Sequence, residues 1–172
     1  MATQSKGKSR ELIIARELDA PTERVWKAWT DPEMVKRWWG PETFTAPSIK
    51  IDLRVGGKYI FAMQGPPGSL LEKPGYNGGV FKEIVPNQKL VLTMYFSDEN
   101  GNVLPAETYG LEGDFPSEET VTVLFEDLGK GRTRLSVIYP MPEDEAQYQA
   151  ILESGMEEGW KEQLNKMERA LR

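Results

Sequence analysis

The segment Ala20–Pro41, APTERVWKAWTDPEMVKRWWGP, holds four of the chain's five tryptophans within twenty-two residues. Rings of this size are read as core or as the wall of a cavity, so the segment constrains a fold. It does not indicate a reaction, because no nucleophile in it stands beside a base. Pro21 and Thr22 mark a helix start, acidic Glu23 suits its first turn, and Val25, Trp26 and Trp29 share one helical face. Asp31-Pro32 stops that helix and starts a second, since proline at a first helical position loses no hydrogen bond and aspartate can cap it. Met34, Val35, Trp38 and Trp39 form the apolar side of this second helix, which Gly40-Pro41 ends.

A chain of 172 residues is most simply one domain, long enough to bury roughly 68–70% of the surface exposed when unfolded. Residues 1–9 read as a flexible tail and 10–172 as the domain. Cysteine and histidine are both absent. That removes disulfides, the usual zinc ligand sets, and the Ser-His-Asp and Cys-His relays. Any catalysis must use carboxylates, Tyr, Lys, Arg or a bound group. No glycine pattern cradles a phosphate, and Asp98–Asn102 reads as a hairpin turn and not a calcium loop. No metal or cofactor is expected. The formal charge of −6 and a pI near 4.9 argue against nucleic acid or an anionic membrane as main partner. No window is apolar enough for a membrane span, and no secretory signal pattern opens the chain, so a cytoplasmic protein is expected.

Apolar alternation predicts a first strand over 10–18, with Leu12, Ile14 and Leu18 on one face. After the tryptophan-rich helices come six more: 45–55, 58–63, 79–85, 89–97, 119–126 and 132–139. Turn chemistry such as Pro86-Asn87 and Gly129-Lys130-Gly131 separates them, as in a meander. Two longer intervals, 64–78 and 98–117, read as rims or lids. Pro140 and Pro142 close the last strand, and one helix is predicted from about 143 to 171, on the order of 40 Å long. Its stripe is Tyr148, Ile151, Leu152, Met156, Trp160, Leu164, Met167 and Leu171. Gly155 and Gly159 lie near it, each costing roughly 1 kcal/mol relative to alanine, which close approach to a strand or room for a ligand would offset. The compact arrangement of these elements is α+β: a curved antiparallel sheet of six to seven strands gripping the long C-terminal helix, with two short helices plugging one end.

The tryptophan-rich segment, DLRVGGKYIF (52–61), GGVFKEIVPNQKLVLT (78–93), GKGRTRLSV (129–137) and GWKEQLNKM (159–167) occur in an order that resembles a known family. These are bacterial single-domain proteins similar to the C-terminal domain of the activator of heat-shock protein 90 ATPase, within the START-like superfamily, also called SRPBCC, helix-grip or Bet-v-like. The likeness covers about residues 10–171. It implies a helix-grip fold and a hydrophobic or aromatic small molecule held between sheet and helix. It also implies two alternatives: a chaperone or stress-response interaction module, and a cyclase or aromatase-type enzyme. It carries over no catalytic residue. The eukaryotic activator makes much of its chaperone contact through a separate N-terminal domain, for which this chain has no room. The 98–117 interval, with Tyr109 and Phe115, exceeds a minimal hairpin of this fold.

Inward strand positions rich in aromatic residues and methionine suit a flat or aliphatic ligand. The candidate contacts are Trp26, Trp38, Phe61, Met63, Met94, Tyr109, Tyr139, Met156 and Trp160. Of the adjacent pair, Trp38 is expected to reach the cavity mouth. The same residues could instead fill a core. Arg16, in the apolar phase of the first strand, and Glu83, in an apolar strand, form a candidate internal ion pair, with a surface role as the alternative reading.

Overall fold

The computed structural model describes residues 10–172; the expected tail, 1–9, lies outside them. Seven antiparallel strands form one curved sheet in the order β1-β7-β6-β5-β4-β3-β2. They are β1 (Glu11–Leu18), β2 (Ile49–Ile51), β3 (Lys58–Met63), β4 (Gly75–Val85), β5 (Lys89–Ser97), β6 (Glu119–Gly129) and β7 (Arg132–Pro140). Alternation decides which side faces in. Ile14 and Leu18 of β1, Tyr59 and Phe61 of β3, Val121, Val123 and Phe125 of β6, and Leu135, Val137 and Tyr139 of β7 are all buried, in the period of two that a pleated strand imposes.

Helix α1 (Thr22–Thr30) begins after Pro21 and buries Val25, Ala28 and Trp29. Asp31 accepts a hydrogen bond from the Glu33 amide at 3.0 Å and caps α2 (Pro32–Val35). This second helix is a single turn. Tighter backbone bonds then carry the chain through Trp38 and Trp39 to Gly40, whose φ of 95° ends the run. Both tryptophans are buried.

The predicted continuous C-terminal helix is divided into α3 (Glu145–Glu153) and α4 (Met156–Ala170). Gly155 takes a left-handed φ of 83°, which glycine adopts without steric cost. The Ser154 hydroxyl donates to the Ile151 carbonyl at 2.7 Å and accepts from the Met156 amide at 3.2 Å, satisfying one group on each side of the break. Leu152 is 46% exposed, whereas Ile151, Trp160, Leu164, Met167 and Leu171 keep the buried stripe. Helix α4 also pins the segment that follows Trp39. Lys166 Nζ donates to the carbonyls of Trp39, Gly40, Pro41 and Phe44 at 3.0–3.4 Å, and Gln163 Oε1 accepts from the Gly40 amide at 2.6 Å.

Arg16 and Glu83 are not partners. Arg16 pairs with Glu168 and Asn165 of α4, and Glu83 pairs with Lys89 at 3.2 Å. Three strands, β7, β6 and β5, separate β1 from β4 in the sheet, which puts the two side chains out of reach of each other. Both pairs are solvent-accessible, as in the surface alternative. Asp98 forms the anticipated turn, accepting from the amides of Asn100 and Asn102 and from the Asn102 side chain. Among the described residues no helix is long and apolar enough to cross a membrane.

Candidate functional site

The sheet and α4 do not close on each other completely. Between them lies a partly open cavity of about 250 Å³. Its floor comes from β3 to β7 through Met63, Asn77, Met94, Tyr95, Phe96, Glu119 and Tyr139. Its roof comes from the α3–α4 break and the first turns of α4, through Ile151, Ser154, Gly155, Met156, Gly159, Trp160 and Gln163. One side is walled by Trp39 and Pro41, another by Leu111, Phe115 and Pro116 of the long 98–117 interval. A Cβ placed on Gly159 would meet no atom within 4 Å. Of the two reasons the sequence suggested for glycine in this helix, open space applies and close packing does not.

Five of the nine anticipated contacts line this space: Met63, Met94, Tyr139, Met156 and Trp160. Four do not. Trp26 packs edge-on against Phe125, with ring centroids 5.2 Å apart. Phe61 faces a separate gap of about 10 Å³ among Trp29, Tyr59, Phe81 and Leu90. Tyr109 donates its hydroxyl to the Ser97 carbonyl and lies against Phe96 outside the cavity. Trp38 is fully buried, with Nε1 donating to the Ala28 carbonyl at 2.7 Å. Its neighbour Trp39 forms the wall instead. A single-turn α2 followed by tighter turns rotates the two side chains relative to a continuous helix, and it is Trp39 that meets the space.

Trp29, Trp38, Trp39 and Trp160 form one cluster, with centroids of neighbouring rings 4.8–6.2 Å apart. Trp160 Nε1 donates to Tyr139 Oη at 2.9 Å, and the Tyr139 hydroxyl lies 3.5 Å from Met94 Sδ. Burial pushes the Tyr139 phenol well up, and the charge of Glu119 adds to that. Tyr139 therefore stays neutral at any ordinary pH.

Glu119 is the residue that sequence reasoning passed over. It opens β6 opposite Met94 of β5, and its Oε2 is sealed from solvent with no hydrogen-bond partner among the described residues. Burial alone raises its carboxyl to about 7. A signal was present, because Glu119 shares the phase of Val121, Val123 and Phe125 and must face inward with them. Asn77, Tyr95 and Gln163 were also missed, as were the loop residues Leu111 and Pro116, whose position no periodicity encodes, whereas Phe96 shares the inward phase of Met94. Among the described residues, no lysine or arginine lines the cavity.

The model of the family described as Activator of Hsp90 ATPase homolog 1-like protein matches residues 19–172. The chain belongs to that family. The same architecture recurs in solved structures similar to this family member. A protein from Arthrobacter aurescens is 31% identical, with a TM-score of 0.75 over 96% of this chain and 91% of that one. Another, from Nitrosomonas europaea, is 25% identical, with a TM-score of 0.72 over 94% and 93%. A Mycobacterium smegmatis protein at 23% identity and TM-score 0.76, covering 96% of both chains, shares the fold. No curated protein matches.

Proposed function

We propose that this family member binds a small hydrophobic or aromatic molecule in the cavity between the sheet and α4. The supporting observation is the space itself. About 250 Å³ is left partly open among mainly apolar side chains, just below the roughly 300–1,000 Å³ of pockets that hold drug-sized ligands, so the guest is a small one. A tightly packed interior has few voids larger than a water molecule. Of the predicted contacts, Met63, Met94, Tyr139, Met156 and Trp160 are assigned to the ligand, joined by Trp39 and Phe115. Flexible methionine walls suit guests of varied shape.

The test uses Gly159, which lines the cavity and has no neighbour in the direction of a Cβ. Gly159→Phe places a ring into the space while removing a helix-weakening glycine. The neutral fluorophore N-phenylnaphthylamine is expected to bind the wild-type protein saturably, quenching Trp39 and Trp160, and to bind Gly159→Phe at least about tenfold more weakly. No saturable binding by wild type would overturn the proposal. So would equal binding by a folded Gly159→Phe.

Glu119 favours a second reading, proton transfer of the cyclase or aromatase kind, which requires a titratable group facing the bound molecule. A carboxyl near 7 is suited to take and return a proton at neutral pH. On this reading the protein accelerates exchange of α-hydrogens of a cavity-sized aryl ketone in deuterated water, and Glu119→Gln abolishes the acceleration. Exchange at the background rate with wild type would exclude it.

A further inference from the structure

We infer that the molecule held in the cavity is an organic cation, a hydrophobic body carrying an ammonium group that rests between the Glu119 carboxyl and the surrounding aromatic rings. The inference rests on the ligand-binding reading above and adds the chemical class of the guest.

Three features of the cavity converge on it. Glu119 is the one carboxyl among the lining residues, and its Oε2 has no donor from any described residue. A buried carboxylate left without a partner is costly, and a cationic guest supplies the missing charge. Among the described residues the lining contains no basic side chain that could do so instead. The nearby amine, Lys166 Nζ, is occupied by the carbonyls of Trp39, Gly40, Pro41 and Phe44.

The second feature is aromatic. The rings of Trp39, Phe96, Phe115, Tyr139 and Trp160 border the same space. Ring faces attract ammonium groups through their quadrupole, more strongly where water is excluded. These rings also provide flat apolar area for the body of the guest. The Tyr139 hydroxyl is already engaged with Trp160 Nε1 and Met94 Sδ, so it does not compete for Glu119.

The third feature is that no cationic side chain stands among the described lining residues to neutralise an anion. A carboxylate guest would meet Glu119 with no lysine or arginine among the described lining residues to offset it. The net charge of −6 adds a long-range field of the same sign, which attracts cations and repels anions. Fatty acids and aromatic acids are therefore the guests this cavity rejects.

Three probes of one shape and different charge test this: naphthylmethylamine, naphthylmethanol and naphthoate. Each is titrated at about pH 8, where the amine is charged, with tryptophan fluorescence and calorimetry as readouts. The amine is expected to bind wild type at least about tenfold more tightly than the alcohol, with naphthoate weakest. In Glu119→Gln the advantage of amine over alcohol is expected to disappear, and Glu119→Leu provides the same comparison should the glutamine variant fold poorly. An alcohol or naphthoate that binds wild type as tightly as the amine overturns the inference, as does an amine preference that survives in both variants. Those outcomes leave the ligand-binding reading standing, whereas failure of all three probes and of N-phenylnaphthylamine removes both.

Discussion

Trp160→Ala is expected to lower folding stability by about 3–5 kcal/mol, the range for removing a large aromatic side chain from a packed interior. Trp160 is only 4% exposed. It stacks on Trp29 at 5.8 Å, meets Trp39 edge-on at 6.0 Å and lies 6.2 Å from Trp38. It is thus the aromatic contact of α4 with the tryptophan-rich segment, beside the polar contacts of Gln163 and Lys166. Its loss also leaves Tyr139 Oη without the donor at 2.9 Å. The gap would adjoin a cavity that already exists, so the remaining rings cannot relax into it without collapsing that cavity. Trp160→Phe keeps much of the ring contact and loses the hydrogen bond, so a smaller cost of about 1–3 kcal/mol is expected. Urea unfolding read by circular dichroism measures both. A loss below about 2 kcal/mol for the alanine variant would show that α4 is held elsewhere. With domain stabilities of about 5–15 kcal/mol, the alanine variant should be near its folding threshold at physiological temperature.

The second large effect concerns Glu119, and its sign depends on pH. Burial raises its carboxyl from an ordinary value of 4.5 to about 7 in the folded chain. Below the ordinary value both folded and unfolded chains carry the proton, and the group costs nothing through ionisation. Between the two values the unfolded chain has released its proton while the folded chain retains it, so stability falls as pH rises through this window. Above about 7 the full penalty is present, about 3 kcal/mol from the size of the shift. Tyr139, the neighbour coupled to it, stays neutral throughout. Glu119→Gln keeps the shape without the charge. The variant should therefore match wild type near pH 4 and exceed it by up to about 3 kcal/mol near pH 8. Denaturant midpoints measured at the two pH values decide the matter. Equal stabilities near pH 8, or a variant weaker at both values, would place Glu119 in a better-solvated setting than its sealed Oε2 indicates. A residue that destabilises its own fold at neutral pH is the kind retained for a site.

Element by element, the chain is legible where local signals agree with the tertiary outcome. Strand β3 runs over Lys58–Met63 and β5 over Lys89–Ser97, both with the predicted bounds. Each has clean alternation and turn residues at its ends. The predicted strand over 45–55 shrinks to Ile49–Ile51 plus an isolated bridge between Thr45 and Gln64. The reason is the turn at Asp52–Gly57, where the Asp52 carboxylate holds the Arg54 guanidinium at 2.9 Å and the Arg54 carbonyl accepts from the Gly57 amide at 2.8 Å. Strand β4 extends back to Gly75, because pairing with β3 and β5 satisfies backbone groups that a Gly- and Asn-rich sequence gives little reason to place in a strand. The helix break at Gly155 is hidden in the sequence for the opposite reason. Apolar spacing carries through it unchanged, while the left-handed φ is a property of the packed backbone.

What the sequence by itself determines is the container. Period-two alternation, the proline and glycine stops, the tryptophan-rich helices and the apolar stripe of α4 specify a sheet that must curl around a helix, since no other arrangement buries both apolar faces. Family membership belongs to that level as well. The tertiary structure alone decides what the container leaves empty. Whether Trp38 or Trp39 forms the wall depends on a fraction of a helical turn. Whether Arg16 meets Glu83 or Glu168 depends on which strands lie between. Glu119 has its unusual carboxyl because the strand phase turns it inward at the point where α3 and α4 part and no basic side chain follows it. Local spacing sets the direction in which a side chain leaves its own backbone; what waits at the far end is set by residues distant in the chain.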